Sequence, residues 1–390
     1  MNKKTSVLRF LLAFTALHLF AGGVSTTPAS APSPVVQPRK KVAFFLDNGC
    51  VGRAVFCWVK LLTNSPELEV EFIDGKALRK NKLNAFDLIF CPGGGSARQL
   101  AAMQKSGQKI VKDFVRNGGA YLGICAGCFS VLNRPDRLQM LPFDWVPYGS
   151  GKTAVLAVDV DDAAAKALNI PKNCYWARYS GGPVIRKSAA PDRDTGKVLG
   201  VYKSSSGGFD RAPYNFVGTP AAVSAKYGKG KVVGVSFHPE SHENSHDLAL
   251  GYVHAAIGIT PAPVYVKKVA NPIRAGFMSN SRVTVRNAKE FMELDNAPEI
   301  DLNLLSGTHL NDGALHHIDV LIVPNGEKNV NQKLFAAPFR QKQLKHFLDH
   351  GGKIVAGGNG SLSLPKHPNV IRISATESLK STVLKLFNRR

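Results

Sequence analysis

Gly123-Ile124-Cys125-Ala126-Gly127 sets a cysteine between two glycines, directly after the apolar run Ala120–Ile124. A G-x-C-x-G turn between a strand and a helix is the thiol form of a nucleophile elbow. The glycines omit the side chains that would collide in so sharp a turn, and the turn holds the sulfur above the sheet. There the sulfur faces the positive N-terminus of the next helix, which favours the thiolate, the reactive species. A free thiol, with a pKa of about 8.5, is mostly protonated at neutral pH and needs a base beside it. Over a hundred residues on, the hairpin-like stretch Ala225–Val233 leads into Val235-Ser236-Phe237-His238-Pro239-Glu240, which brings an imidazole and a carboxylate together.

At these residues the sequence resembles class I glutamine amidotransferases, whose strand-end His-Pro-Glu supplies a base and the carboxylate that orients it. The resemblance implies Cys125 as nucleophile, His238 as general base and Glu240 as the group holding the imidazole. The same histidine would then protonate the departing group. Pro92-Gly93-Gly94 matches the family's other loop, so the resemblance implies that N–H groups of Gly93 and Gly94 bind the oxyanion together with that of Ala126. Cys91–Gly95, Gly118–Gly127 and Tyr179-Ser180-Gly181-Gly182-Pro183 read like the N-terminal domain of biotin–protein ligases. This likeness covers roughly residues 41–260. The Gly-Arg-Gly-Arg-type adenylate loop of the ligase catalytic domain does not occur in the sequence. Ala126 stands where the protease-like relatives carry a histidine. The stretch holding Arg178, Tyr179, Gly181 and Gly182 matches the family position that lines the pocket beside the thiol. Arg178 is suited to hold a carboxylate through two parallel hydrogen bonds, with Tyr179 packing alongside. The expected partner is a small amide or peptide, an acidic one if Arg178 is a binding group rather than one more surface cation of a basic protein.

His242-Glu243-Asn244-Ser245-His246 also spells the H-E-x-x-H of zinc peptidases. That motif works on a helix, where residues four apart share a face. Asn244 and Ser245 are good N-caps, so the helix is expected to begin there and run through Leu248 to Ile257. His242 then precedes the helix, and neither a metal nor a cofactor is assigned.

The elements needed to position these groups follow an alternating pattern. Val42–Leu46, Val70–Ile73, Leu88–Cys91 and Ala120–Ile124 read as short buried strands. Ala54, Val55, Trp58, Val59, Leu61 and Leu62 share one helical face, and Ile110–Val115 closes a second helix at Gly118-Gly119. Strand, helix, strand in repetition predicts a doubly wound α/β fold around a mostly parallel, flavodoxin-like sheet. Cys50, Gly93–Gly95 and Cys125 all follow strands at the carboxyl edge, where such sheets gather function. Residues 41–261 form this domain. Residues 262–390 look like a second, degenerate copy: Asp319–Gly326 parallels Asp87–Gly94, and Leu344–Gly360 parallels Val111–Gly127. Cys125 then falls on Gly358, and no His-Pro-Glu follows.

Met1–Lys4 with Arg9, then the apolar run Phe10–Phe20, predict a signal peptide over 1–24, with a further small-residue cleavage candidate as late as 31. Residues 25–40 read as a Pro/Ser-rich linker. The protein is therefore expected to be exported to the periplasm or secreted, with no membrane span in the mature chain. Of the 390 residues, 44% are hydrophobic and 20% charged, a globular balance that excludes wholesale disorder. The net charge of +22 is spread along the chain, which suits anionic surfaces but carries no nucleic-acid module. Cys50, Cys57, Cys91, Cys125, Cys128 and Cys174 lack the spacing of a paired C-x-x-C metal site, and no disulfide is assigned. Two function classes remain: amide or peptide hydrolysis through a Cys125 thioester, or a binding protein that keeps these residues without turnover.

Overall fold

The computed structural model describes residues 38–390, apart from 81, 147–152, 189–195, 205–215, 260–268, 280–282, 327–332, 359–362, 375 and 390. The signal peptide and nearly all of the linker expected from the sequence lie outside the described residues, as does the boundary at 261/262.

Four short apolar runs form β1 (Lys40–Phe45), β2 (Leu68–Ile73), β3 (Leu88–Cys91) and β4 (Ala120–Ile124). Between and after them come α1 (Gly52–Thr63), α2 (Gly75–Arg79), α3 (Ser96–Arg116) and α4 (Ala126–Phe129). Every residue of β3 and β4 is buried, as expected where helices cover both faces of a sheet. The chain continues through β5 (Phe143–Val146), β6 (Thr153–Val160), α5 (Asp162–Leu168), β7 (Asn173–Ser180), β8 (Val184–Lys187) and β9 (Lys197–Tyr202). The expected hairpin is β10 (Pro220–Tyr227) turning at Gly228-Lys229 into β11 (Gly230–Val235), and α6 (His246–Ile257) follows.

The main sheet has nine strands in the order β2-β1-β3-β4-β11-β10-β9-β6-β7. The first five are parallel, and the last four extend the sheet antiparallel. The antiparallel wing is an addition to what the sequence suggested. The strand order reverses between β1 and β3, where their following loops meet through a bridge between Cys50 and Gly94. That crevice is the switch point at which open α/β sheets bind ligands.

A second sheet is built from β12 (Ile273–Met278), β13 (Ile300–Leu305), β14 (Val320–Val323), β15 (Lys353–Gly357) and β16 (Val370–Ile373). Its helices are α7 (Val285–Asp295), α8 (Gly307–Asn311), α9 (Pro338–Asp349) and α10 (Leu379–Leu386). Its order, β13-β12-β14-β15-β16, is the flavodoxin-like order, and β2-β1-β3-β4-β11 repeats it. Three local features recur in both sheets. The Asp87 carboxylate accepts from the Lys41 N–H at 2.8 Å, and that of Asp319 from the Arg274 N–H at 2.9 Å. Gly119 and Gly352 each sit against a phenylalanine ring, Phe114 and Phe347, where a Cβ would clash. Cys125 and Gly358 both take positive φ, 51° and 44°.

The two sheets share one hydrophobic core through α1. Beyond the face read from the sequence, this helix buries Phe56, whose ring lies 5.1 Å from Phe277 and 5.0 Å from Phe291. Trp58 packs on Phe90 of the first sheet, at 4.8 Å. A helix apolar on both sides is one covered on both sides. Lys60 adds a hydrogen bond to the Leu302 carbonyl at 3.0 Å and an ion pair with the buried Asp295 at 3.5 Å. Phe56→Ala should lose about 3–5 kcal/mol in denaturant unfolding, because a cavity opens between two sheets that cannot easily collapse. A loss under about 1 kcal/mol would show that the α1 junction does not tie the halves together.

Candidate functional site

The elbow has the geometry that its glycines permit. Cys125 takes φ 51° and ψ −99°, a conformation that costs energy for a residue with a Cβ. Neighbouring backbone holds it there: the Cys125 N–H donates to the Val235 carbonyl at 2.7 Å, and the Tyr121 hydroxyl to that of Gly127 at 2.9 Å. A Cβ on Gly123 would lie 2.4 Å from the Gly127 backbone, and one on Gly127 would lie 2.2 Å from the Cys91 carbonyl oxygen. The following helix differs from the expectation. α4 is a single turn of four residues, so it offers Cys125 a few unpaired N–H groups rather than the dipole of a long helix.

His238 comes from the loop after β11, and its N–H donates to the Arg178 carbonyl at 2.7 Å. Its Nδ1 lies 2.7 Å from Glu240 Oε1, and both side chains are buried. With Nδ1 engaged by the carboxylate, Nε2 is the ring nitrogen left for a second partner, and Cys125 lines the same pocket. Burial pulls the imidazole pKa down, but the Glu240 charge and Cys125 together outweigh it and carry His238 up to about 10. The stability contributed by this group is full below its ordinary 6.5 and is lost as the pH climbs through about 10. Cys125, His238 and Glu240 are thus brought together as one connected set.

The glycine loop closes the other side. Gly93 lies under the imidazole, and Gly94 takes φ 146°, pressed against the Gly49 carbonyl. Among the described residues, no backbone carbonyl accepts the N–H of Gly94 or of Ala126; Gly94 lines the pocket with Cys125, and Ala126 follows it in the chain. The loop is anchored from behind by the buried Gln99, which donates to the Pro92 carbonyl at 2.9 Å.

A pocket of about 310 Å³ opens over the sulfur, with Gly94, Cys125, Arg178, Gly181 and His238 in its wall. The Ser180 carbonyl lies 3.7 Å from Sγ. Tyr179 and Gly182 do not reach this pocket. Side chains alternate along β7, so while Arg178 faces the site, Tyr179 turns inward, fully buried against Phe216 with its hydroxyl on the Gly182 carbonyl at 2.7 Å. Gly182 packs so tightly on Ser236 that a Cβ would lie 1.6 Å from its carbonyl oxygen. Arg53, on the first turn of α1, also lines the pocket. Sequence reasoning missed it, although it follows β1 at the same carboxyl edge as Cys50.

The other thiols are set differently. Cys91 is pushed up to about 12 and Cys57 to about 11, both chiefly by burial, and burial also raises Cys128. Cys174 is exposed, and none of the six is in a disulfide. The H-E-x-x-H stretch is split. His242 precedes a short 3₁₀ turn over Glu243–Ser245, and His246 starts α6, so the two histidines do not share a helix face. Ser245 is the N-cap residue but makes no side-chain cap bond; its hydroxyl goes to the Pro239 carbonyl at 2.7 Å.

The family model of the biotin-protein ligase N-terminal domain matches residues 41–134. A biotin–protein ligase of Schizosaccharomyces pombe is 27% identical over 198 residues, covering 45% of this chain and 29% of that protein. The chain therefore spans under a third of that relative's length. Among solved structures, PurLQS from Thermotoga maritima is 18% identical, with TM-score 0.40 over 55% of this chain and 98% of that one. A putative thua-like protein from Bacteroides uniformis is 15% identical, with TM-score 0.41 over 60% of this chain and 95% of that one. Residues 41–134, which carry Gly93, Gly94 and Cys125, are thus similar to the N-terminal domain of biotin–protein ligases, while His238 and Glu240 lie beyond the span that the family model matches.

Proposed function

We propose that the chain is an exported thiol hydrolase of the class I glutamine amidotransferase-like type, in the biotin–protein ligase N-terminal branch, and that it cleaves amide or peptide bonds through Cys125. The observation that carries this reading is that His238, held by the Glu240 carboxylate at 2.7 Å, lines the same pocket as the Cys125 thiol. Export rests on the basic start and apolar run of residues 1–24.

In the proposed reaction the proton given up by Cys125 rests on His238, and Sγ attacks the carbonyl carbon. The tetrahedral oxyanion lies between the N–H groups of the Gly93–Gly94 loop and Ala126. As the C–N bond breaks, His238 delivers its proton to the departing nitrogen and a thioester remains on Sγ. Water then attacks the thioester while His238 takes one of its protons; the acid leaves and the thiol is restored. Glu240 keeps the imidazole in the tautomer and orientation that both steps require.

Two measurements test the reading. Iodoacetamide at neutral pH, read out by peptide mass spectrometry, should modify Cys125 ahead of the exposed Cys174, although Cys125 is far more buried. Faster labelling of Cys174 would remove the claim of an activated thiol. His238→Gln retains a polar group for Glu240 but removes the base, and should slow Cys125 alkylation about tenfold or more. An unchanged rate in a variant with unchanged circular dichroism would take His238 out of the proton-transfer role.

A further inference from the structure

The pocket over Cys125 holds two guanidinium groups, Arg53 from α1 and Arg178 from β7, and none of the side chains lining it is acidic. Among the described residues neither arginine makes an ion pair, although the structure pairs arginines with acids elsewhere, as in Arg274–Asp319 and Arg286–Glu290. The nearest catalytic carboxylate, Glu240, is already engaged by His238. Nε of Arg53 is buried without a hydrogen-bond partner, a cost that a folded chain normally avoids unless a ligand supplies the acceptor. Two positive charges without an acidic partner in one small concavity repel each other and attract an anion.

Each arginine is also tied through backbone to one arm of the catalytic set. The residue capping the Arg53 helix, Val51, donates its N–H to the Gly93 carbonyl at 3.2 Å, while the Arg178 carbonyl takes the His238 N–H at 2.7 Å. The positive groups are thereby held at a fixed distance from the oxyanion loop and from the base. Valine at this N-cap is itself unusual: it offers the first turn no side-chain acceptor, and no acidic residue follows in that turn. The end of α1 that faces the pocket thus adds free N–H groups to the two guanidiniums.

We infer that Arg53 and Arg178 form a carboxylate-binding subsite, so that the hydrolase proposed above acts on amides bearing a carboxylate close to the scissile bond. This inference rests on that proposal for the reaction, but binding can be tested without it. Cys125→Ser protein, which cannot form the thioester, is titrated by calorimetry with succinamate, an amide with one carboxylate, and with the neutral succinamide. Succinamate should bind roughly tenfold or more tightly, with a preference that weakens as salt is raised. Arg53→Gln and Arg178→Gln should each reduce that preference several-fold. Equal affinities for the two compounds, binding of neither, or a preference that survives both substitutions would overturn the subsite. Failure of the hydrolase reading would show separately, as a sluggish Cys125 in the wild-type protein.

Discussion

A Cβ at position 93 would lie 2.5 Å from Cε1 of His238, closer than real side chains approach. The imidazole can take its place in the pocket wall beside Cys125 only because this one backbone position carries no side chain. Much of the site's geometry follows from that vacancy. The loop after β3 can pass beneath the ring, its N–H groups stay beside Cys125, and the ring is left with the thiol on one side and Glu240 on the other. The backbone strain at Cys125 belongs to the same design. The positive φ aims the sulfur into the pocket, and the parallel pairing of β4 with β11 supplies the rigid frame that keeps it there.

The second sheet shows the same scaffold with the opposite choice of residues. Where the first copy has Gly93 and Cys125, the second has Asn325 and Gly358, so the side chain has moved from the elbow to the loop. Oδ1 of Asn325 lies 2.7 Å from where a Cβ on Gly358 would sit, so the amide occupies the room that a nucleophile would need. What this second sheet offers is packing through α1. His309 of α8 is pulled down first by burial and then by the charge of Arg53 on the first turn of α1.

What could be read from the sequence was whatever the chain encodes over a few residues. The elbow, the glycine loop, the turn of the β10–β11 hairpin and the start of α6 all follow from short-range sterics, and the structure has them within a residue or two. The second parallel sheet was legible for the same reason, since similar turns are spelled twice. Features that depend on distant partners were not legible. Phe56 reads as an interruption of a one-sided helix until a second sheet is placed behind it. The antiparallel wing depends on pairings across long loops that no local pattern encodes. Arg53 becomes a pocket residue only once β1 and β3 are adjacent. Tyr179 was misplaced by the two-residue period of a strand: one residue's shift exchanges pocket for core.

The central claim is that His238, Cys125 and Glu240 act as one electrostatic unit, and the state of the imidazole reports on it directly. Nuclear magnetic resonance of protein labelled at its histidine rings, followed across pH, gives the titration of His238 in the wild type, in Cys125→Ser and in Glu240→Gln. The account predicts a wild-type midpoint far above 6.5, toward the value of about 10 set by its two neighbours, and a clear downward shift in each variant. A His238 that titrates near 6.5 in all three proteins would contradict it.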